Sequence, residues 1–293
     1  MRDFPVLVSS RPDLARGSQL VAPAALAGMI AGAQAGAWRL FEAGCGGEAL
    51  FGQAHIPGAA YLDTCQVEQA PLWNKVSDEA LLALLLAHGV RHDTTVVLYG
   101  RNNLAAARLA HLLLYAGVSD VRLLDGGFAL WQAGGHPCEA GAGRTRVAAR
   151  DFGVAFPAHR EYMTDMAQVR ALLRRDEGTL VSIRTEAEFT GKVSGYSDIS
   201  AAGDIPGARW GQAGEDGDVN SMSTYHHADG SMKPAADIRR QWADAGIAGE
   251  GRTVFYCGTG WRASMAFFYA WLMGWDDISV YDGGWCEWSR SAA

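Results

Sequence analysis

Apolar positions along this chain follow two alternating rhythms. Short β-branched and aromatic runs, such as Thr253-Val254-Phe255-Tyr256 and Val97-Leu98-Tyr99, read as buried strands. Longer runs of good helix formers, such as residues 263–273 closed by Gly274, read as helices. Helices are also predicted over 77–88, where Ser77 can cap and Asp78 and Glu79 suit the first turn, and over 164–174. Residues 21–38 are apolar but mostly alanine and glycine, with Pro23 and Gln34, too weakly hydrophobic to hold in lipid. They are expected to form the opening helix of a soluble domain. Strands alternating with helices imply an α/β fold with a parallel sheet covered on both faces.

The pattern occurs twice. Val97-Leu98-Tyr99-Gly100 matches Val254-Phe255-Tyr256-Cys257, and the same offset takes Gly117 to Gly274, Asp125-Gly126-Gly127 to Asp282-Gly283-Gly284 and Trp131 to Trp288. His55-Ile56-Pro57-Gly58-Ala59 likewise matches Asp204-Ile205-Pro206-Gly207-Ala208. Two α/β domains follow, expected over 17–138 and 159–293 and joined by 139–158, which is rich in small and charged residues. The second copy has insertions over 190–203 and after Ala208, the latter including Arg209-Trp210-Gly211 and Tyr225-His226-His227. Extra loops in one copy suggest enclosure of a substrate or a plain surface excursion.

Chemistry concentrates where the second of these strands ends. Cys257 sits between strand and helix, where unpaired N–H groups of the loop and first helical turn converge and the helix dipole favours an anion. Gly258 and Gly260 let the backbone curl with its amides inward, and Arg262 adds a positive charge. These features favour a nucleophilic thiolate over a buried structural thiol.

Cys257-Gly258-Thr259-Gly260-Trp261-Arg262, followed by Val280-Tyr281-Asp282-Gly283-Gly284-Trp285, resembles the active-site loop and following strand of the rhodanese sulfurtransferases. Leu180-Val181-Ser182-Ile183-Arg184 is similar to the family's strand ending in a substrate-binding arginine, with Ser182 where the family usually has aspartate. The resemblance implies two tandem rhodanese-like domains and a thiosulfate sulfurtransferase of the thiosulfate:cyanide type, with no cofactor and no metal. Cys257 would take the sulfane sulfur as a persulfide, sulfite would leave, and cyanide or a thiol, including that of a small protein, would accept the sulfur. Arg184 and Arg262 would hold the sulfonate, while the backbone amides from Gly258 through Thr259, Gly260 and Trp261 to Ala263 would stabilise the persulfide. Where the second copy has Cys257 and Arg184, the first has Gly100 and Gly44, so the first domain is expected to be inactive and structural.

Three alternatives stand beside this reading. Loops of 3-mercaptopyruvate sulfurtransferases resemble Cys-Gly-Ser-Gly-Val-Thr, and the charged Arg262 favours thiosulfate instead. Phosphatases and arsenate reductases of this fold place five residues between cysteine and arginine. Here there are four, a ring cramped for phosphate. A non-catalytic binding module is what Gly100 exemplifies.

Net charge −7 leaves no basic stripe for nucleic acid, so an anionic donor must be captured by local groups. Five cysteines, at 45, 65, 138, 257 and 286, lack Cys-x-x-Cys spacing and suggest neither a zinc site nor a disulfide framework. Cys286 is expected either to pack in the core or to resolve an oxidised Cys257. The adjacent His226 and His227 would diverge on an extended chain and make a poor metal site. Trp271, Trp275, Trp285 and Trp288 read as core or interface residues, whereas Trp261 can wall a pocket or pack between domains. Arg2, Asp3, Arg11 and Asp13 interrupt the N-terminus, where no secretory signal is visible. A cytoplasmic location is expected, or a periplasmic one if a signal segment was removed.

Overall fold

The computed structural model describes residues 11–32, 38–175 and 177–291. The first sheet contains β1 (Leu20–Val21), β2 (Trp38–Gly44), β3 (Ala60–Asp63), β6 (Thr95–Gly100) and β7 (Asp120–Leu124), in the order β1-β7-β6-β2-β3. The second contains β8 (Met163–Thr164), β9 (Gly178–Ser182), β10 (Arg209–Trp210), β11 (Arg252–Tyr256) and β12 (Ile278–Tyr281), in the equivalent order β8-β12-β11-β9-β10. Every pair in both sheets is parallel. A small antiparallel hairpin, β4 (Glu68–Gln69) and β5 (Asn74–Lys75), projects from the first domain.

Alternation along the central strands explains why both faces are covered. Val96 and Leu98 of β6 point into one apolar cluster while Val97 and Tyr99 point into another, and Phe255 of β11 parts from Val254 and Tyr256 in the same way. Helix α1 (Pro23–Ala31) contributes to the outer face of the first sheet, as do α2 (Glu48–Gln53) and α5 (Gly127–Ala133). On its inner face lie α3 (Asp78–Ala87), capped by Ser77 as expected, and α4 (Asn103–Ala116). In the second domain α6 (Met166–Arg175) and α10 (Gly284–Ser291) lie outside, and α8 (Ala235–Asp244) and α9 (Trp261–Leu272) inside. The short α7 (Glu186–Phe189) follows β9.

The two inner faces form one continuous core. Helices α4 and α9 pack on each other, and almost every residue of each is buried, so their all-round apolarity is that of helices enclosed by two sheets. His111 of α4 meets the Phe267 ring of α9 edge-on, centroids 4.7 Å apart.

One sequence expectation is corrected. Residues 21–38 are not one helix: Val21 pairs with Leu124, Pro23 starts α1 at the position its missing N–H favours, and Trp38 opens β2, while 33–37 lie outside the described residues. Residues 139–158, expected to join the domains, also bond along the first of them, with His55 and Glu139 exchanging backbone bonds of 2.8 and 2.9 Å and the Ala149 amide donating to Leu86. Among the described residues, no helix is long and apolar enough to cross a membrane.

Candidate active site

Cys257 follows β11 at the carboxyl edge of the second sheet, where α/β folds gather functional groups. Its thiol is 1% exposed and forms the floor of a pocket of about 180 Å³, lined also by Tyr196, Val219, Asn220, Thr259, Trp261 and Arg262. Gly260, at φ +111°, caps α9 and turns its N–H onto the Cys257 Sγ at 3.2 Å. Only at Ser264 does the first turn begin to bond back, to the Gly260 carbonyl, so the amides before it lack intrahelical partners.

The loop is pinned from behind by α10. Trp285 and Cys286 donate their backbone N–H groups to the carbonyls of Cys257 (2.8 Å) and Gly258 (3.0 Å), which turns those carbonyls away from the pocket. Gly284 makes this approach possible: it sits at φ +52°, and a Cβ there would lie 2.6 Å from both carbonyl oxygens. The Asp-Gly-Gly motif therefore docks one helix N-terminus under the loop that begins another. The Cys286 thiol is buried and directed at the Pro71 carbonyl of the first domain, 3.8 Å away, and burial raises it above its ordinary value.

Both predicted arginines are built in. Arg262 is 1% exposed and donates to both carboxylate oxygens of Glu188, at 2.8 and 2.9 Å, and to the Tyr196 hydroxyl at 2.8 Å. Burial works to raise the Glu188 carboxyl, but Arg262, the Thr185 amide and Arg184 outweigh it and hold it below its ordinary value. Arg262 still lines the pocket with its charge balanced. Arg184, expected to hold a sulfonate, does not line it. Its guanidinium is fully buried and donates to the carbonyls of Gly203 (2.5 Å) and Ser194 (3.0 Å) and to Asp204 (3.2 Å), beneath the insertion over 190–203.

Asp204 accounts for the missing aspartate at Ser182. The Ser182 hydroxyl donates to it at 2.8 Å and Tyr256 bonds its other oxygen, so a carboxylate reaches the same spot from the neighbouring turn. Burial pushes the Asp204 carboxyl up to about 6, against the pull of Arg184 and Ser182.

Both insertions close over the sulfur. From the first, Tyr196 accepts the Gly258 N–H at 3.1 Å and lies where any side chain at Gly258 would be, the hypothetical Cβ falling 2.0 Å from its ring. From the second come Val219 and Asn220. His226, beyond them, is half-buried and meets the Tyr269 hydroxyl at 2.6 Å, which anchors the insertion to α9. The first domain completes the wall: Trp261 donates its indole N–H to Glu68 at 2.7 Å, so it both lines the pocket and ties the domains. Arg108 of α4, fully buried, donates to Glu68 at 3.2 Å and to Asp282 at 2.5 Å, and its Nη1 lies 3.2 Å from where a Gly260 Cβ would be.

The rhodanese-like domain family matches residues 37–134 and 165–291. The chain belongs to that family. It is 54% identical over 255 residues to thiosulfate sulfurtransferase YnjE of Escherichia coli K12, covering 87% of this chain but only 58% of YnjE. The crystal structure of YnjE superposes with a TM-score of 0.89 at 51% identity, over 94% of this chain and 67% of that one. The sulfur carrier protein TtuD of Thermus thermophilus is 32% identical over 261 residues, 82% of this chain and 84% of TtuD. An EanB variant bearing a cysteine persulfide, solved in a tetrahedral intermediate state with ergothioneine, superposes with a TM-score of 0.88 at 34% identity, over 95% of this chain and 70% of that one.

Between the two rhodanese-like copies, strand register verifies the repeat, since Ser182 pairs with Tyr256 as Glu42 pairs with Tyr99. Gly44 thus stands for Arg184 and Gly100 for Cys257. The first copy leaves no room for a side chain at this position: a Cβ on Gly100 would lie 2.4 Å from the Asn102 carbonyl. Sequence reasoning missed Glu188, Tyr196, Asn220, Glu68 and Arg108. Signals existed for three of them. Thr185-x-x-Glu188 is a capping-box pattern, Tyr196 lies in the first insertion, and Arg108 interrupts an apolar helix.

Proposed function

We propose that this protein is a sulfurtransferase that takes the sulfane sulfur of thiosulfate onto Cys257 and passes it to a thiol or cyanide. The observation that carries this reading is the Gly260 N–H aimed at a cysteine sulfur on the floor of a pocket, at the N-terminus of α9. In the first step the Cys257 thiolate attacks the outer sulfur of thiosulfate, the sulfur–sulfur bond breaks with its electron pair on sulfite, and a persulfide forms. Loop amides and the Thr259 hydroxyl, with the dipole of α9, stabilise the anion on the outer sulfur. In the second step an acceptor thiolate or cyanide attacks that sulfur and restores the Cys257 thiolate. The name of YnjE and the persulfide in the EanB variant support the reading.

Within this proposal the arginines differ in role. Arg262 tunes the field at the pocket wall, and Arg184 acts as a positioning residue that holds the 190–203 insertion, and with it Tyr196, over the sulfur. The test is mass spectrometry of the purified protein after thiosulfate treatment, with one added sulfur expected on the Cys257 peptide. Cys257→Ser should remove both the adduct and the transfer activity. Added sulfur on another cysteine with Cys257 unmodified would refute the assignment.

One observation favours a second reading, in which the acceptor is an organic ring. Tyr196 and Trp261 give the pocket aromatic walls, and the EanB structure holds ergothioneine. Turnover with small thiols, cyanide and imidazole-bearing acceptors, compared with that on 3-mercaptopyruvate as donor, separates these readings.

A further inference from the structure

Pairing of β2 with β3 brings together two cysteines twenty residues apart. In the register of this pair Gly44 faces Asp63, so Cys45, just past β2, meets Asp63, the last residue of β3, and Cys65 in the turn that follows. One ligand atom from each of Cys45, Asp63 and Cys65 lies within 4.8 Å of the others, and the two sulfurs are 4.0 Å apart. Both thiols are exposed and Asp63 is half-buried. The cluster stands at the carboxyl edge of the first sheet, beside the glycine that replaces the catalytic copy's Arg184.

We propose that Cys45, Cys65 and Asp63 bind a zinc ion in the domain that has lost its nucleophile. A tetrahedral zinc dithiolate with arms of about 2.3 Å sets its sulfurs about 3.8 Å apart, close to the separation found here. A disulfide would require them to close to about 2.05 Å. Two soft thiolates with one hard carboxylate suit zinc, which accepts both ligand types.

Asp63 is already oriented. One oxygen accepts the Gly46 N–H at 2.7 Å and the Tyr61 hydroxyl at 3.2 Å, and the other accepts the Cys65 N–H at 2.9 Å, leaving a lone pair for the metal. Binding replaces two S–H bonds with two Zn–S bonds and releases two protons, and solvent water fills the fourth position on the exposed side.

The test uses the full chain carrying Cys257→Ser, reduced with a metal-free phosphine, so that the catalytic thiol takes no part. Titration with Zn²⁺ against a chromophoric chelator should give one equivalent bound and two protons released. Co²⁺ in its place should give the thiolate charge-transfer bands of a tetrahedral site. Cys45→Ser and Cys65→Ser should abolish the Co²⁺ bands, Cys138→Ser should leave them, and Tyr61→Phe should weaken Zn²⁺ binding about 10-fold through the loosened carboxylate. Melting curves of the serine variants confirm that they are folded. Failure of the reduced chain to hold Zn²⁺, or binding that survives Cys45→Ser and Cys65→Ser, overturns the proposal. So does a Cys45–Cys65 disulfide forming in a glutathione buffer while the reduced pair takes no metal.

Discussion

Glu188 shows how much a single buried side chain organises here. It satisfies the fork of Arg262, caps α7 through the Thr185 amide and lies 3.6 Å from Arg184. Removing one partner of such a pair leaves a buried charge unbalanced, so Glu188→Ala should cost about 3–5 kcal/mol in denaturant unfolding. Asp204 carries a second, pH-dependent prediction. Its carboxyl is raised in the fold to about 6 from an ordinary 3.8, so the folded state binds the extra proton between those values. Stability from this group is therefore full below about pH 4 and is lost as pH rises to about 6. Melting of wild type relative to Asp204→Asn should fall across that window and level off above it. A rise instead would mean that Arg184 dominates and the carboxyl is depressed.

At the scale of elements, the Cys257 loop depends on the approach of two helix N-termini, α9 beginning in it and α10 docked beneath it. Gly284→Ala places a methyl group in the left-handed region against two carbonyl oxygens, which must separate α10 from the loop. Persulfide formation on Cys257 should then slow by at least about 10-fold, since loop amides aimed at a developing charge are worth a factor of about 100 or more each. The circular dichroism of the variant should stay close to wild type. Unchanged sulfur loading would show that the loop holds its shape without α10.

For the whole molecule, the decisive feature is the shared core between the domains and the polar knot at its edge. Arg108 joins Glu68 of its own domain to Asp282 of the other, and Glu68 holds Trp261. Burial raises the Glu68 carboxyl despite this partner. Arg108→Met, which copies the residue of the second repeat, should cost about 3–5 kcal/mol and slow sulfur transfer. Adding Glu68→Gln should give a double variant less damaged than the sum of the two single ones.

Acid should also loosen the packing around α9. Burial holds His111 and His226 to about 4, below their ordinary 6.5, so both stay neutral in the fold and cost stability as pH falls from about 6.5 towards 4. Their joint contribution to stability should therefore fall as pH drops through this range. Replacing both with glutamine should flatten that fall, as followed by tryptophan fluorescence.

Much of this was legible in the chain by itself. Periodicity and the repeat determined two parallel α/β units, because strand and helix rhythms are local and survive duplication. The strand, glycine turn and helix around Cys257 likewise determined that a cysteine meets a helix N-terminus, since such a terminus is made by consecutive residues. Asp204 standing in for the aspartate absent at Ser182, Glu188 claiming Arg262, and Arg108 and Glu68 crossing from the first copy were decided only by tertiary structure. Charge balance at a buried site depends on which carboxylate reaches which guanidinium through space, and residues far apart in the chain carry no mark of that proximity. The same holds for Cys45 and Cys65, whose spacing is unremarkable until parallel pairing of β2 and β3 sets their sulfurs side by side.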